Sequence, residues 1–229
     1  MDHVVERLVE VLLAKLSSGA TATAHKQRQY WVGIAGAPGS GKTTLTTRIS
    51  DKLIQNGVEC TVVPMDGYHY SRAELDAMPD SVSAHRFRGA PFTFNADAFL
   101  RDLRVARKQG EFSFPGFDHA AKDPAPDTHA LSVSSRVVLV EGNYLLLDED
   151  PWKSLSEPGL FDEIWYLSCP LEVAKQRLAG RHMRAWGWTM EQAMERIEDS
   201  DEKNMVQVQS SAGISRASRV IDVGAHHGK

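Results

Sequence analysis

The chain has 229 residues, 42% of them hydrophobic and 24% charged, with 17 Gly and 10 Pro, a composition that excludes collagen-like, low-complexity and disordered chains. Its 26 basic residues against 30 acidic ones leave a formal charge of -4, which argues against a protein built mainly to grip nucleic acid. Two cysteines, Cys60 and Cys169, each inside an apolar stretch, offer neither a disulfide framework nor a zinc-ligand spacing and point to a reducing, cytoplasmic setting. No apolar run reaches the roughly 18 residues of a membrane span, so neither nucleic acid nor membrane is expected as a partner.

From Met1 to Ser17, Val4, Val5, Leu8, Val9, Leu12, Leu13 and Leu16 recur at helical spacing. This predicts an amphipathic helix that covers the edge of the core or meets a second copy, so a homodimer is one expectation. The small, polar stretch to Gln29 reads as a linker, which divides the chain into a helix and linker over 1–29 and a single domain over 30–229. Tyr30 to Ala35 is a short apolar run that stops at a glycine cluster, and Lys42 to Asn56 reads as a helix. Cys60 to Met65 follows Asn56-Gly57, a helix stop, and ends at Asp66-Gly67. Ala96 to Gln109 is a second helix, with Phe99, Leu100, Leu103 and Ala106 on one face and arginines mostly on the other. Ser113 to Thr128, with Pro115, Pro124 and Pro126, reads as a long irregular loop of the kind that is often functional.

Arg136 to Val140 is apolar throughout, as in a strand buried on both faces of a parallel sheet. Ile164 to Leu167 is another strand, Leu171 to Trp186 and Thr189 to Val206 are helices, and Arg219 to Val223 is a last strand before a polar tail in which His226 and His227 read as solvated. Strands alternating with helices predict an α/β fold, a parallel sheet with helices on both faces.

Gly36-Ala37-Pro38-Gly39-Ser40-Gly41-Lys42-Thr43, with Thr44 next in the helix, matches the phosphate-loop pattern and sits between a predicted strand and a predicted helix. Glycines let successive N–H groups turn toward phosphate oxygens, Lys42 reaches the β and γ phosphates, and the Thr43 hydroxyl suits Mg²⁺. Asp66, at the carboxyl end of the next strand, is placed to accept a proton from a hydroxyl presented to the γ-phosphate. Glu141, delivered by an apolar strand, has the position of a metal-side carboxylate. Arg177, Arg181, His182 and Arg184 fall within about two helical turns, and such a cluster can close over a transferring phosphoryl group.

These motifs resemble the uridine kinase, phosphoribulokinase and pantothenate kinase family of phosphate-loop kinases, closest to a uridine-kinase-like branch found in fungi and bacteria. The resemblance rests on Met65-Asp66-Gly67-Tyr68-His69, Arg88-Gly89-Ala90-Pro91-Phe92-Thr93-Phe94, Phe117-Asp118-His119 with Lys122-Asp123-Pro124, and Val140-Glu141-Gly142-Asn143-Tyr144-Leu145-Leu146, in that order over roughly Tyr30 to Val223. It implies a P-loop NTPase fold with a helical lid, ATP and Mg²⁺ as cofactors, and transfer of the γ-phosphoryl group to a hydroxyl of a nucleoside-, sugar- or vitamin-like acceptor. By position it implies Asp66 as catalytic base, Thr43 and Glu141 on the metal, and Arg177, Arg181 and Arg184 in the lid. Tyr68, His69, Arg88, Phe92, Phe94, Asp118, His119 and Lys122 fall where the family binds its acceptor. Uridine kinases proper carry a Tyr-x-Phe arrangement where this chain has Phe114-Pro115-Gly116-Phe117-Asp118-His119, so the acceptor is left open. A P-loop ATPase or nucleotide-dependent switch acting on a protein partner would use the same loop. No Asn-Lys-x-Asp run is present to read a guanine base.

Overall fold

The computed structural model describes residues 1–18, 28–118 and 120–224. His119, most of the linker, and His226 and His227 in the tail lie outside the described residues. Among those described, β1 (Tyr30–Gly36), β2 (Cys60–Pro64), β5 (Val137–Gly142), β6 (Glu163–Ser168) and β7 (Arg219–Asp222) form one parallel sheet in the order β2-β5-β1-β6-β7. β5 pairs on both edges and is buried at every position, which is why Val137 to Val140 carry no polar alternation. From β1 the chain runs to β2 at one edge, returns to β5 between β2 and β1, and then crosses to β6 and β7 on the other side of β1. The end of β1 is thus a topological switch point, where open α/β sheets bind ligands beyond their carboxyl ends.

Helix α2 (Lys42–Gln55) buries Leu45, Ile49 and Leu53 and stops at Asn56-Gly57, with Gly57 left-handed at φ 73°. Helix α1 (Asp2–Ser18) packs on α2, and its Val5, Leu8, Val9 and Leu12 belong to the same apolar core as the sheet. Asp2 and Arg48 pair at 2.6 Å between the two helices, and Lys15 approaches Glu163 of β6 at 3.6 Å. Between the two uses the sequence left open for this helix, covering the core of its own chain accounts for its buried face. Helix α5 (Ala96–Gln109) spans the residues that the sequence predicts, with Asn95 capping Ala98 N at 3.0 Å and left-handed Gly110 ending it.

Three parts of the sequence reading are corrected. Residues 113–128 are not an irregular loop: β3 (Phe112–Asp118) and β4 (Asp123–Leu131) form an antiparallel two-stranded ribbon. A ribbon tolerates proline because each strand has one unpaired edge, and Pro115 sits where the register shifts between Phe114 and Gly116. Residues 72–86, unassigned from sequence, hold the short helices α3 (Arg72–Asp76) and α4 (Ser81–Arg86). They are too short to show a helical period, yet Ser71 and Glu74 form a capping box and Asp80 caps Ser83 N at 3.0 Å. Finally, α6 (Leu171–Trp186) matches, but the next predicted helix is α7 (Met190–Arg196), a π turn over Ile197–Asp201, and α8 (Glu202–Gln209).

The ribbon packs beneath the turn that follows β2, where a Cβ on Gly67 would lie 2.1 Å from Pro115 O. Gly67→Ala is expected to cost about 2 kcal/mol or more through overpacking, read as a lower urea midpoint. Leu12→Ala, which removes a fully buried side chain of α1, should cost about 3 kcal/mol. An unchanged unfolding midpoint in that variant would show that α1 does not pack on this core.

Candidate active site

β1 ends at Gly36, and residues 37–41 turn the chain into α2. Gly39 and Gly41 have φ of 76° and 95°, in the left-handed region that favours glycine. A Cβ on Gly39 would also lie 2.2 Å from Ala174 O in the first turn of α6, so the loop is seated directly against that helix. Ser40 is fully buried, and its hydroxyl has no hydrogen-bond partner among the described residues. An unsatisfied donor inside a glycine-rich loop at a helix N-terminus fits a loop that holds phosphate.

Lys42 opens α2 and is 8% exposed. Its Nζ donates to Gly36 O at 2.9 Å, Ala37 O at 3.1 Å and Asn143 Oδ1 at 2.7 Å. Burial pulls its ammonium below the ordinary lysine range, against which the negative charges of Glu141 and Asp66 act. Glu141, on β5, is buried as well, and burial pushes its carboxyl up, opposed by the charge of Lys42. Thr43 Oγ1 donates to Glu141 Oε1 at 2.8 Å. This oxygen pair fits Mg²⁺, which keeps most of its waters and takes one or two protein oxygens together with phosphate. No group of three or more metal-ligating side chains occurs among the described residues.

Asp66 lies in a short helical turn, Met65–Tyr68, at the carboxyl end of β2. Pro64 pairs with Glu141 across β2 and β5, so Asp66 leaves the sheet next to the end of β5 that carries Glu141. Its charge is felt at Lys42, Glu141 and Tyr144. Among the described residues its carboxylate accepts no hydrogen bond, whereas its main-chain oxygen contacts His69 Nδ1 at 2.8 Å.

Of the residues read as binding the acceptor, His69 with Phe94 and Arg88 with Asp118 and Lys122 form two groups, and Tyr68 and Phe92 belong to neither. The His69 ring lies against Phe94, with ring centroids 3.8 Å apart, and Phe117, at 4.9 Å, both at a tilt, next to the Asp66 turn. Arg88, Asp118 and Lys122 meet around the ribbon's turn. Arg88 donates to Tyr70 O at 2.8 Å and Asp123 Oδ1 at 3.0 Å and also to Lys122 O. Asp118 accepts from Ala120 N and Ala121 N, and Lys122 Nζ lies 5.4 Å from the Trp186 ring at the end of α6. Tyr68 turns into the core, against Phe99, with its hydroxyl donating to Asp102 at 3.0 Å. Phe94 is buried against Trp152 and Tyr144, while Phe92 is 54% exposed.

The arginines of α6 differ from one another. Arg177 is held at the loop, donating to Val223 O at 3.1 Å and reaching Ser40 O and Cys169 Sγ at 3.5 Å. The charge of Arg181 is felt at both Lys42 and Glu141. Arg184 is exposed and folds back over Gly180 of its own helix. His182 is buried, 3.1 Å from Asp201 and stacked on Trp186, where it links α6 to the π turn. Sequence reasoning gave no role to Asn143, although it follows Glu141-Gly142 directly and contacts Lys42.

Burial pushes the Cys60 thiol up to about 12 and raises that of Cys169 beside Arg177. Thiolate is the reactive form, so iodoacetamide at pH 8 should label neither cysteine of the native protein at the unfolded-state rate. Labelling should accelerate when denaturant is added.

Residues 31–224 match the Phosphoribulokinase / Uridine kinase family model. A Schizosaccharomyces pombe protein named as a candidate uridine kinase is 37% identical over 217 residues, covering 90% of this chain and 86% of its own. A kinase-like protein of Aspergillus versicolor, described as ATP-dependent, is 46% identical over 125 residues, covering 52% and 71%. Among solved structures, a candidate fructose transport system kinase from Silicibacter sp. TM1040 superposes with a TM-score of 0.78 at 27% identity, covering 93% of this chain and 98% of that one. The loop geometry, the paired ends of β2 and β5 and these matches agree: the chain belongs to the phosphoribulokinase / uridine kinase family and is a P-loop, ATP-dependent phosphotransferase with a hydroxyl acceptor.

Proposed function

We propose that the chain uses Mg²⁺ and ATP to phosphorylate a hydroxyl of a nucleoside-, sugar- or vitamin-like small molecule, with Asp66 as general base. One observation carries the reading: the Asp66 carboxylate stands at the carboxyl end of β2, beside Glu141 of β5, and acts electrostatically on the phosphate-loop Lys42. In this reading Asp66 takes the proton of the acceptor hydroxyl as its oxygen forms a bond to the γ-phosphorus, and the bond to the leaving ADP oxygen breaks. Lys42, the loop amides and the hydroxyl of Ser40 bind the phosphates, and Thr43 and Glu141 would hold Mg²⁺, whose chemistry is to neutralise phosphate charge. Arg181 is the lid arginine we assign to the transferring group, because its charge acts on Lys42 and Glu141. Arg177 holds the loop to the end of β7, and Arg184 is peripheral.

For the acceptor we assign the region around His69 and Phe117, beside the Asp66 turn. His69 offers an imidazole and Phe117 an apolar surface, a combination that suits a small molecule with both hydroxyls and a hydrophobic face. The contacts of Arg88, Asp118 and Lys122 suggest that they shape the ribbon turn that borders this region.

Asp66→Asn should lower turnover by about 10²- to 10⁴-fold, the usual contribution of a general base, with Mg-ATP affinity unchanged. Full acceptor phosphorylation by that variant would remove Asp66 from the role. Arg181→Ala should lower kcat more than it raises the KM for ATP, as expected for a contact made chiefly in the transition state, and Arg184→Ala should do less on both. The substrate class is tested by ADP release across nucleosides, sugars, pantothenate, glycerate and pyridoxine-type acceptors, with the product identified by mass spectrometry. ATP hydrolysis that ignores every acceptor and survives Asp66→Asn would count against phosphoryl transfer to a small molecule.

A further inference from the structure

We propose that Asn143 is a positioning residue for Lys42, and that its side-chain oxygen is the partner which the terminal phosphates of ATP exchange for. The inference rests on the reading of Lys42 as a phosphate ligand and extends it to a residue with no assigned role.

The argument begins with a donor count. A lysine ammonium has three N–H groups, and this protein supplies three acceptors to Lys42: Gly36 O at 2.9 Å, Ala37 O at 3.1 Å and Asn143 Oδ1 at 2.7 Å. A phosphate oxygen that receives an N–H from Lys42 therefore replaces or shares one of them. The two carbonyls belong to the end of β1 and the loop itself, in backbone fixed by strand pairing and by the close approach of Gly39 to Ala174. Asn143 Oδ1 is the short contact, and it sits on a side chain that swings away by rotating χ1 and χ2. Of the three, it is the acceptor that can leave without moving the loop.

Its place in the fold supports the same conclusion. Gly142 packs against Met65 so closely that a Cβ there would lie 2.7 Å from Met65 Cβ. Asn143, after β5, and Asp66, after β2, therefore leave neighbouring strand ends. Asn143 thus reaches Lys42 from the side of the candidate base rather than from within the loop. A neutral carboxamide can hold the ammonium there without adding a third negative charge to Asp66 and Glu141, which a triphosphate would have to face.

The test is a double-mutant cycle on the full chain, with Mg-ATP affinity read by isothermal titration calorimetry. Asn143→Ala removes the competing acceptor, and Mg-ATP should bind about tenfold more tightly, the scale of one hydrogen bond to a charged group. In a Lys42→Met background the same substitution should leave affinity unchanged. Unchanged or weaker binding by Asn143→Ala overturns the proposal, as does an equal gain in the Lys42→Met background. Should Asn143→Ala fail to fold, Asn143→Ser, whose hydroxyl sits too short to reach the ammonium, is read by the same criteria. The two layers separate cleanly. Lys42→Met that binds Mg-ATP like the wild type would remove Lys42 as a phosphate ligand altogether, whereas a weakened Lys42→Met beside a silent Asn143→Ala would overturn only the role of Asn143.

Discussion

A buried ammonium at the carboxyl end of a parallel sheet constrains everything around it. Moving a lysine out of water is costly unless its N–H groups are paired and opposite charge is near. Lys42 meets both conditions through main-chain oxygens at the end of β1 and in its own loop, and through groups remote in sequence: the Asn143 side chain and Glu141 at the end of β5, and Asp66 from the turn after β2. Satisfying one cation thus requires three strand ends in register. The same arrangement concentrates positive charge and inward-facing donors where phosphate is expected and keeps two carboxylates beside it. Glu141, itself buried, depends in turn on the Lys42 charge and on the Thr43 hydroxyl at 2.8 Å. Removing the Lys42 charge would take away the main opposition to the burial of Glu141, so the loop, the strand ends and the first turn of α2 are electrostatically coupled.

Around this dense centre, the parts nearest the candidate acceptor region are held differently. Arg86 pairs with Asp199, Arg196 donates to Arg86 O and Arg88 O, and Lys122 lies against Trp186. These contacts join α4, the Arg88 to Phe94 segment, the β3–β4 ribbon and the helices after α6, and most involve exposed side chains. Exposed ion pairs contribute on the order of 1 kcal/mol or less, while the phosphate loop is seated against α6 by close backbone contact. The outer helices are therefore fastened in part by exposed pairs, while the ribbon is packed on the Asp66 turn as closely as the phosphate loop is packed on α6. The π turn at Ile197–Asp201 lies among these outer helices, where it brings Asp201 to the buried His182 and Asp199 to Arg86.

Much of this was legible in the residues themselves, because it depends on local chemistry. The phosphate loop announces itself through glycine spacing ahead of Lys42-Thr43, since glycine adopts the left-handed backbone found at Gly39 and Gly41 without the steric cost that other residues meet. β5 reads as doubly buried because Val137 to Val140 have no polar alternation, and α5 reads through its apolar face and its Asn95 and Gly110 ends. The family resemblance likewise came from short ordered motifs, and residues 31–224 match that family. Local signals failed where structure depends on a distant partner. Three prolines concealed the β3–β4 ribbon, because strand pairing is settled by which edges find each other across the chain. The first helix carried the same stripe for either a partner or its own core, and only packing on α2 gave that face an occupant.

For the site, sequence by itself determined which residues have the right chemistry: Lys42, Thr43, Asp66, Glu141 and the α6 arginines. It could not determine which of them share a space, because that depends on sheet order and register. Pairing β2 with β5 brings Asp66 beside Glu141, and seating α6 on Gly39 turns Arg177 toward the loop and brings the charge of Arg181 to bear on Lys42, while Arg184 stays outside. Tyr68 and His69 are neighbours in sequence, yet the Tyr68 hydroxyl is committed to Asp102 in the core while the His69 ring lies against Phe94 at the Asp66 turn. Asn143 carries no signature of its own, since an asparagine after Glu-Gly has many uses. Its bond to Lys42 exists only because tertiary packing sets the end of β5 against the first turn of α2, 101 residues apart in the chain.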